Sequence, residues 1–324
     1  MAIIDNIFSL PLPSGDDIGM YRHRFGQGHA RVVFVAGLRG DAPEGIRVAF
    51  NIAEFLRNHE DSMLGMVDIF PCVNPLAAEQ GVRHWPFFGL DQNRQFPGDK
   101  NGHPPAQVAY HLQQAIEGAD FVVELRGARP GFSEIPQAIM NIDNDTLPEY
   151  AQYTNVSLIW RRNYGGSATK TLAYQFANSI VLEGGIGNQL THEVGNRLFE
   201  GSLYLLSKIG IVPEEILPFP WMTMEEPQVA VDADIERIRS NRVGFFLPNI
   251  DVDASIQQGD TIGVIVDTMT GEQKEIISAP CTGRVIAIRN QPVVSAGSMV
   301  ARIWKEHRAT SPNTPSLDHW WAED

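Results

Sequence analysis

The chain has 324 residues, of which 43% are hydrophobic and 20% charged, and its formal net charge at pH 7 is -14. This composition excludes a disordered or fibrous protein and predicts a globular chain with one sizeable core and a second, smaller domain. The acidic balance argues against a general nucleic-acid-binding surface, which needs clustered Lys and Arg.

Targeting signals, membrane spans and cysteine patterns in the sequence bear on where the protein is located. No stretch approaches the ~18 consecutive apolar residues of a membrane span, and the first residues lack a basic region followed by a long apolar one. The only cysteines, Cys72 and Cys281, are too few for a disulfide framework or a Cys-based zinc site. We therefore expect a cytoplasmic protein with neither a membrane nor a nucleic-acid partner.

Short apolar runs alternate with helical periodicity through about residue 210. The runs predict strands at 31–36, 66–70, 121–125, 157–160 and 179–182. After Pro43, apolar residues at three- and four-residue steps predict a helix, and a similar pattern from Val194 to Ile209 predicts another. Nearly continuous apolar strands separated by helices indicate an α/β fold, with a mostly parallel sheet covered by helices on both faces.

The character of the sequence changes after a Pro-rich segment at 217–228. Turn residues then recur every eight or so positions without a helical stripe, which predicts a small all-β barrel or sandwich. We place the domains at 1–225 and 226–308, followed by an irregular tail at 309–324. The tail contains Trp320 and Trp321, which are suited to docking on a neighbouring surface.

The first predicted strand runs into GLRGDAPEG (37–45), a glycine-rich turn before a helix. Further motifs are NPLAAEQGVRHWPFFGLDQNRQFPG (74–98), ADFVVELRG (119–127) and SIVLEGG (179–185). In this order they resemble the succinylglutamate desuccinylase/aspartoacylase family, relatives of the zinc carboxypeptidases. The resemblance covers about residues 7 to 305, and the β-rich end is similar to the lipoyl-like C-terminal domain of bacterial members. It implies a zinc-carboxypeptidase-like α/β domain.

The resemblance also implies where a metal would bind. In the family, two His and one Glu from the first turn and the third motif bind one zinc, which polarises the scissile carbonyl and lowers the pKa of a water. The matching positions here are Arg39, Ala42 and Arg126. A guanidinium offers only donors and alanine has no ligand atom. We therefore expect no zinc in its usual place and no other cofactor.

Other positions match the family's substrate-handling residues. The resemblance assigns Asn93 and Arg94 to binding the substrate carboxylate, Arg83 to stabilising the oxyanion, and Glu183 to general base and acid catalysis. His84, beside Arg83, is a further candidate for lining the pocket, although a lone His is more often structural. Each of these side chains taken alone is more often an ordinary surface or structural residue.

If the fold is as implied, Arg39 and Arg126 approach the vacated metal position from adjacent strand ends. Together they carry the +2 charge of zinc, which favours an anion there. Ala42 removes the one carboxylate expected to pair with them, while Glu124 offsets part of the charge. The alternative is drift after loss of activity, with both arginines turned outward.

Three functions remain open. The first is a pseudoenzyme that binds a small acidic ligand, such as an N-acyl amino acid or dicarboxylate, as a homo-oligomer or with an active paralogue. The second is a metal-independent amide hydrolase in which Glu183 activates water and arginines hold the oxyanion. The third, a conventional zinc-dependent deacylase, is opposed by the ligand positions. Binding is favoured because Glu183 without a metal would have to act on ordinary water.

Overall fold

A computed structural model describes residues 3–12, 15–145, 147–219 and 226–305. The predicted tail at 309–324, with Trp320 and Trp321, lies outside the described residues. Strands in the first part of the chain are β1 (Ile3–Pro11), β2 (Asp17–Phe25), β3 (Arg31–Ala36), β4 (Met66–Phe70), β5 (Phe121–Leu125), β6 (Phe132–Asn141), β7 (Leu158–Arg162) and β8 (Ser179–Ile186). Helices are α1 (Pro43–Asn58), α2 (Pro75–Gln80), α3 (Pro104–Ile116), α4 (Leu147–Ala151), α5 (Leu172–Gln175) and α6 (His192–Lys208).

The centre of the sheet consists of four parallel strands in the order β4-β3-β5-β8. Their apolar residues are buried on both sides because helices cover both faces. Val32 and Phe34 of β3 pack into a core shared with α1 and α6, while Val33 and Val35 pack into a second core with α3. The predicted α/β sheet with helices on both faces is thereby confirmed. Within the described ranges, no helix combines the length and apolarity needed to cross a bilayer.

Antiparallel pairs join the four central strands to the strands on either side of them, so the whole sheet is mixed. β2 pairs antiparallel with β4 and with β1, and β6 pairs antiparallel with β8. The sequence did not predict β1, β2 or β6. In β6 the reason is visible, because Glu134, Pro136 and Gln137 interrupt its apolar pattern and a bulge between Glu134 and Gln137 accommodates the proline.

The later part of the chain is rich in strands. They are β9 (Gln228–Val231), β10 (Ile235–Arg239), β11 (Gly244–Pro248), β12 (Ser255–Ile256), β13 (Thr261–Val266), β14 (Gln273–Ser278), β15 (Gly283–Arg289), β16 (Val293–Val294) and β17 (Met299–Lys305). One antiparallel sheet has the order β14-β13-β11-β16, and β12, β15, β17 and β10 form a second layer. Both contribute to one apolar core that includes Phe246, Ile265 and Ile303. This arrangement confirms the predicted smaller β-rich unit.

The two parts of the chain are joined through their sheets. β15 pairs antiparallel with the first residues of β6, where Ala287 is opposite Glu134. β9 pairs in parallel with β7. Strands after residue 225 therefore continue the sheet of the first part, and this continuity brings C-terminal side chains to its carboxyl-end edge.

Candidate functional site

A cavity of about 290 Å³ opens beyond the carboxyl ends of the central strands. This is the edge at which open α/β sheets usually bind ligands. The residues that line it are Arg39, Arg83, Arg94, Arg126, Arg129, Ile139, Trp160, Arg162, Glu183, Arg237 and Arg302. Eight of these eleven residues are arginines, and Glu183 is the single carboxylate among them.

Strand register brings Arg126 and Glu183 together. Leu125 of β5 is opposite Leu182 of β8, and Arg126 and Glu183 are the next residues along each strand. Arg126 Nη1 lies 3.6 Å from Glu183 Oε2, and Gln137 Nε2 donates to Glu183 Oε1 at 3.0 Å. The first turn of α1 packs closely here, because a Cβ on Gly45 would lie 2.3 Å from the Leu125 carbonyl oxygen. Only glycine allows this approach.

Arg126 is held charged by two carboxylates. Its Nε donates to Glu124 Oε1 at 2.5 Å. Burial alone would lower the pKa of Arg126, but the attraction of Glu124, this hydrogen bond and the charge of Glu183 outweigh it and raise that pKa above its usual range. Arg126 is thus a permanent cation at the end of β5.

Arg39 also has a carboxylate partner. It follows β3, is 5% exposed and forms two hydrogen bonds with Asp41, from Nε at 2.8 Å and from Nη2 at 3.0 Å. The sequence predicted that Glu124 offsets part of the charge left by Ala42, but it did not predict that Asp41 pairs with Arg39. Asp41 and Glu124, each two residues from its arginine, supply the paired anions.

Two predicted ligand-binding residues are not among those that line the cavity. Asn93 is 1% exposed, donates from Nδ2 to Glu124 Oε1 at 2.7 Å and accepts at Oδ1 from the Leu172 backbone at 2.9 Å. Its amide is used to position Glu124 and the start of α5. The side chain of His84 is exposed instead of facing this space. Neither residue is part of the cavity lining, and their roles in ligand binding stay predictions.

Arg83 and Arg94 both line the cavity, but among the described residues only the charge of Arg83 is neutralised by a paired carboxylate. Arg83 donates twice to Asp91 Oδ2, at 2.9 and 2.8 Å. Arg94 donates to the Asn93 carbonyl at 2.6 Å, and no carboxylate oxygen in the described ranges lies within 4.0 Å of it. Burial lowers the pKa of Arg94, and the charges of Arg126 and Arg83 lower it further against the attraction of Asp91 and Glu124. Arg94 is therefore the least compensated of the four predicted arginines.

The part of the cavity lining around Trp160 was not predicted from the sequence. Around the buried ring of Trp160, the guanidinium carbons of Arg162, Arg302 and Arg237 lie 4.8, 5.0 and 5.9 Å from the ring centroid. Arg162 ends β7, whereas Arg237 and Arg302 come from β10 and β17. The paired arginines of WRRNY, after a predicted strand, were the one signal in the sequence.

Two further residues near the cavity also escaped prediction. Arg129 Nε donates to the buried Glu134 Oε1 at 3.0 Å. Burial raises the pKa of Tyr164 to about 12. Tyr164 also interacts electrostatically with Arg126, Glu124 and Glu183. The phenol therefore stays protonated at neutral pH and is a hydrogen-bond donor.

The donor set does not fit a zinc ion. The positions that the family resemblance assigns to metal ligands hold two guanidinium groups and a methyl group. Within the described ranges, no three His, Cys, Asp or Glu side chains gather in a way that would hold a metal. Guanidinium groups attract anions instead of coordinating cations.

The protein is an α/β fold with an arginine-lined cavity at the carboxyl edge of its central sheet. The sequence profile of the Succinylglutamate desuccinylase/Aspartoacylase catalytic domain matches residues 29–209. The chain therefore belongs to the succinylglutamate desuccinylase/aspartoacylase family.

Several known proteins are similar to this chain. N-alpha-acetyl-L-2,4-diaminobutyric acid deacetylase from Halomonas elongata is 30% identical over 114 residues, which is 35% of this chain. The match spans only 33% of that relative's length. A succinylglutamate desuccinylase/aspartoacylase from Rhodobacter sphaeroides has a TM-score of 0.80 at 20% identity and covers 93% of both chains.

A product-bound structure of the ectoine utilization protein EutE (DoeB) from Ruegeria pomeroyi also has a TM-score of 0.80, at 18% identity. It covers 94% of this chain and 95% of its own. At these identities the structural likeness establishes the fold over nearly the whole chain.

Proposed function

We propose that this chain binds a small acidic ligand, an N-acyl amino acid or a dicarboxylate, and has lost the zinc-dependent hydrolysis of its family. The observation that supports this most directly is the replacement of the metal ligands by Arg39, Ala42 and Arg126 in a cavity lined by eight arginines. Arg39 and Arg126 take the place of the metal as the positive charge to which the ligand's anionic groups bind.

The distribution of charge around the cavity supports binding. Asp41, Asp91, Glu124 and Glu134 pair with arginines but are not among the residues that line the space. The surface met by a ligand is therefore mainly guanidinium, which stays protonated and binds carboxylates in bidentate geometry. Arg94 supplies the cation with the least existing compensation.

Relatives support the class of ligand. The Halomonas elongata protein is named as a deacetylase of an N-acetylated amino acid, and the Ruegeria pomeroyi structure is described as product-bound. N-alpha-acetyl-L-2,4-diaminobutyrate keeps a side-chain ammonium, but an N-acyl amino acid without a basic side chain has an α-carboxylate and no positive charge. Such a molecule suits a cavity whose walls are cationic.

A second candidate function is metal-independent amide hydrolysis. Glu183 lines the cavity beside Arg126, so a base and an oxyanion-stabilising group occur together. Binding without turnover remains our conclusion, because Glu183 is already engaged by Gln137 and Arg126. In addition, no three metal-ligating side chains gather in the described ranges to hold an ion that would activate a water.

The proposal is tested by isothermal titration calorimetry of the full chain with N-acetyl-L-glutamate, succinate and N-alpha-acetyl-L-2,4-diaminobutyrate. We expect at least one to bind and Arg94→Gln to weaken it about tenfold, as expected for the loss of a charge-assisted hydrogen bond. The matched control is Arg239→Gln, because Arg239 is an exposed arginine of β10 outside the cavity. Equal affinities in the two variants would count against the proposed pocket.

Elemental analysis and an amine-release assay distinguish the three functions. Stoichiometric zinc with chelator-sensitive turnover of any of the N-acyl compounds would contradict the proposal. Turnover by metal-free protein that disappears in Glu183→Gln would favour the second candidate. Assembly as a homo-oligomer or with an active paralogue stays a prediction, which light scattering of the purified chain and co-purification with such a paralogue would test.

A further inference from the structure

The cavity wall around Trp160 contains three arginines to which the proposed function gives no separate role. We call Arg162, Arg237 and Arg302 the outer arginine cluster. They come from three strands, and their guanidinium carbons lie 4.8, 5.9 and 5.0 Å from one indole ring centroid. Three like charges so close to each other need either nearby carboxylates or an external anion.

The nearby carboxylates are poorly placed to supply that compensation. Asp232 Oδ1 lies 3.5 Å from Arg162 Nε and 3.7 Å from Arg237 Nη2, and Glu134 Oε1 lies 3.8 Å from Arg302 Nη1. All three separations exceed hydrogen-bond length. Glu134 already accepts from Arg129, and burial together with the charge of Glu183 raises its pKa, which disfavours its anionic form.

Donor atoms in the cluster lack acceptors. Within the described ranges, Arg302 Nε, Arg162 Nε and Trp160 Nε1 are buried without a hydrogen-bond partner. Arg302 is 5% exposed and Trp160 is 1% exposed, so bulk water does not replace the missing acceptors of these two side chains. The side chains of Arg162 and Arg237 are 35% and 39% exposed, which leaves them accessible to a ligand from solution. Buried donors without partners are costly, and a group of them beside a cavity indicates a ligand that accepts hydrogen bonds.

The number and origin of the guanidinium groups select the shape of that acceptor. A carboxylate is planar, carries one charge and is saturated by one or two guanidinium groups. A phosphate group carries about -1.5 to -2 charges at pH 7 and presents three terminal oxygens in different directions. Three arginines from three strands and one shared aspartate leave about two positive charges. The phosphate group matches both this charge and this geometry.

We propose that the outer arginine cluster binds the phosphate group of an acidic ligand whose carboxylate is held by Arg94. This inference rests on the proposed function, because it places a second anionic group in the same cavity. The ligand class is then an N-acyl amino acid or related acid that bears a phosphate monoester, and free phosphate is the alternative source of the same chemistry.

The test compares two ligands that differ in their distal anion. Calorimetry at low ionic strength uses N-acetyl-O-phosphoserine, N-acetylglutamate and inorganic phosphate with the full chain. We expect the phosphoserine derivative to bind at least tenfold more tightly than N-acetylglutamate. Arg237→Gln should remove most of this preference and weaken inorganic phosphate about tenfold, while Arg239→Gln on the same strand changes neither.

Each other outcome has a distinct meaning. If both N-acyl ligands bind equally and respond only to Arg94→Gln, the proposed function holds and the phosphate site is wrong. If inorganic phosphate binds and is weakened by Arg237→Gln while no N-acyl amino acid binds, the phosphate site holds and the proposed function fails. Free phosphate is the ligand if it binds as tightly as the ester and Arg94→Gln weakens neither. Circular dichroism of each variant verifies folding.

Discussion

Two groups of arginines at opposite ends of the same parallel strands handle their charge in different ways. Near the amino end of the sheet, Arg24 and Arg31 converge on the fully buried Asp68 of β4, with separations of 2.7 Å each. Arg22 lies 3.9 Å from the same carboxylate and also pairs with Asp5. In this group the acid is at the centre and the arginines surround it.

At the carboxyl end of the sheet, the arginines face the central space and most of their carboxylate partners lie behind them. The arginines face an open space of about 290 Å³, and most of their carboxylate partners are outside its lining. The first arrangement satisfies its charges within the protein and is structural. The second leaves guanidinium groups facing a volume that a ligand can occupy. The position of the carboxylate, more than the number of arginines, distinguishes a structural cluster from a binding site.

The largest loss of stability is expected from substitution of Asp68, at the centre of the structural arginine group. Asp68→Asn keeps the shape of the side chain but removes the charge on which Arg24 and Arg31 depend. Breaking a buried ion pair from one side should reduce the free energy of unfolding by about 3–5 kcal/mol. Urea denaturation measures this loss.

The matched control is Asp145→Asn, because Asp145 pairs with Arg161 but is 89% exposed. That change should cost no more than about 1 kcal/mol. Equal losses in the two variants would remove the distinction between a buried structural cluster and an ordinary surface pair.

Low pH should remove the stabilisation that the charged Asp68 provides. Burial alone would raise the pKa of Asp68, but hydrogen bonds from Arg24 and Arg31 and their charges outweigh it and lower that pKa. The stabilisation is therefore complete above the ordinary aspartate pKa of about 3.9 and is lost as the pH falls through the lower native value. The difference in unfolding free energy between the wild type and Asp68→Asn should shrink below about pH 4. A constant difference down to pH 2 would show that charge is not its source.

The smallest effect on stability is expected in the cavity. Arg94 lies beside Arg83 and Arg126 without a paired carboxylate of its own in the described ranges. Arg94→Gln should change the free energy of unfolding by less than about 1 kcal/mol, and toward greater stability, because it removes like-charge repulsion. Arg24→Gln, in the structural group, should destabilise the protein clearly more. Comparable destabilisation by both substitutions would mean that Arg94 is also structural.

The central fold could be predicted from the sequence because its strands are short, continuous apolar runs. β3, β4 and β5 match their predicted ranges, since strands buried on both faces have no polar interruption. β6 was missed because Glu134 and Gln137 interrupt its pattern. Both contact charged groups near the cavity, so the features that connect this strand to the site also hide it from a hydrophobic pattern.

The site could be predicted only where the motifs are local. Arg39, Arg83, Arg94, Arg126 and Glu183 line one cavity, and each lies in a quoted motif. Asn93 also lies in a motif, but the Glu124 carboxylate takes up its amide. Arg237 and Arg302 could not have been found in this way, because they reach the cavity through the pairing of β10 with β17 and of β15 with β6.

The pairing of β15 with β6 also bears on how the chain can be divided. Residues 132–134 of β6 pair with β15 on the edge away from β8, whereas residues 137–141 pair there with β7. A fragment ending at residue 209, where the catalytic-domain match stops, would leave the first half of β6 with open backbone groups on that edge. Unpaired strand edges promote association between chains. The smallest piece of this protein that keeps both edges of β6 paired thus extends into the C-terminal strands.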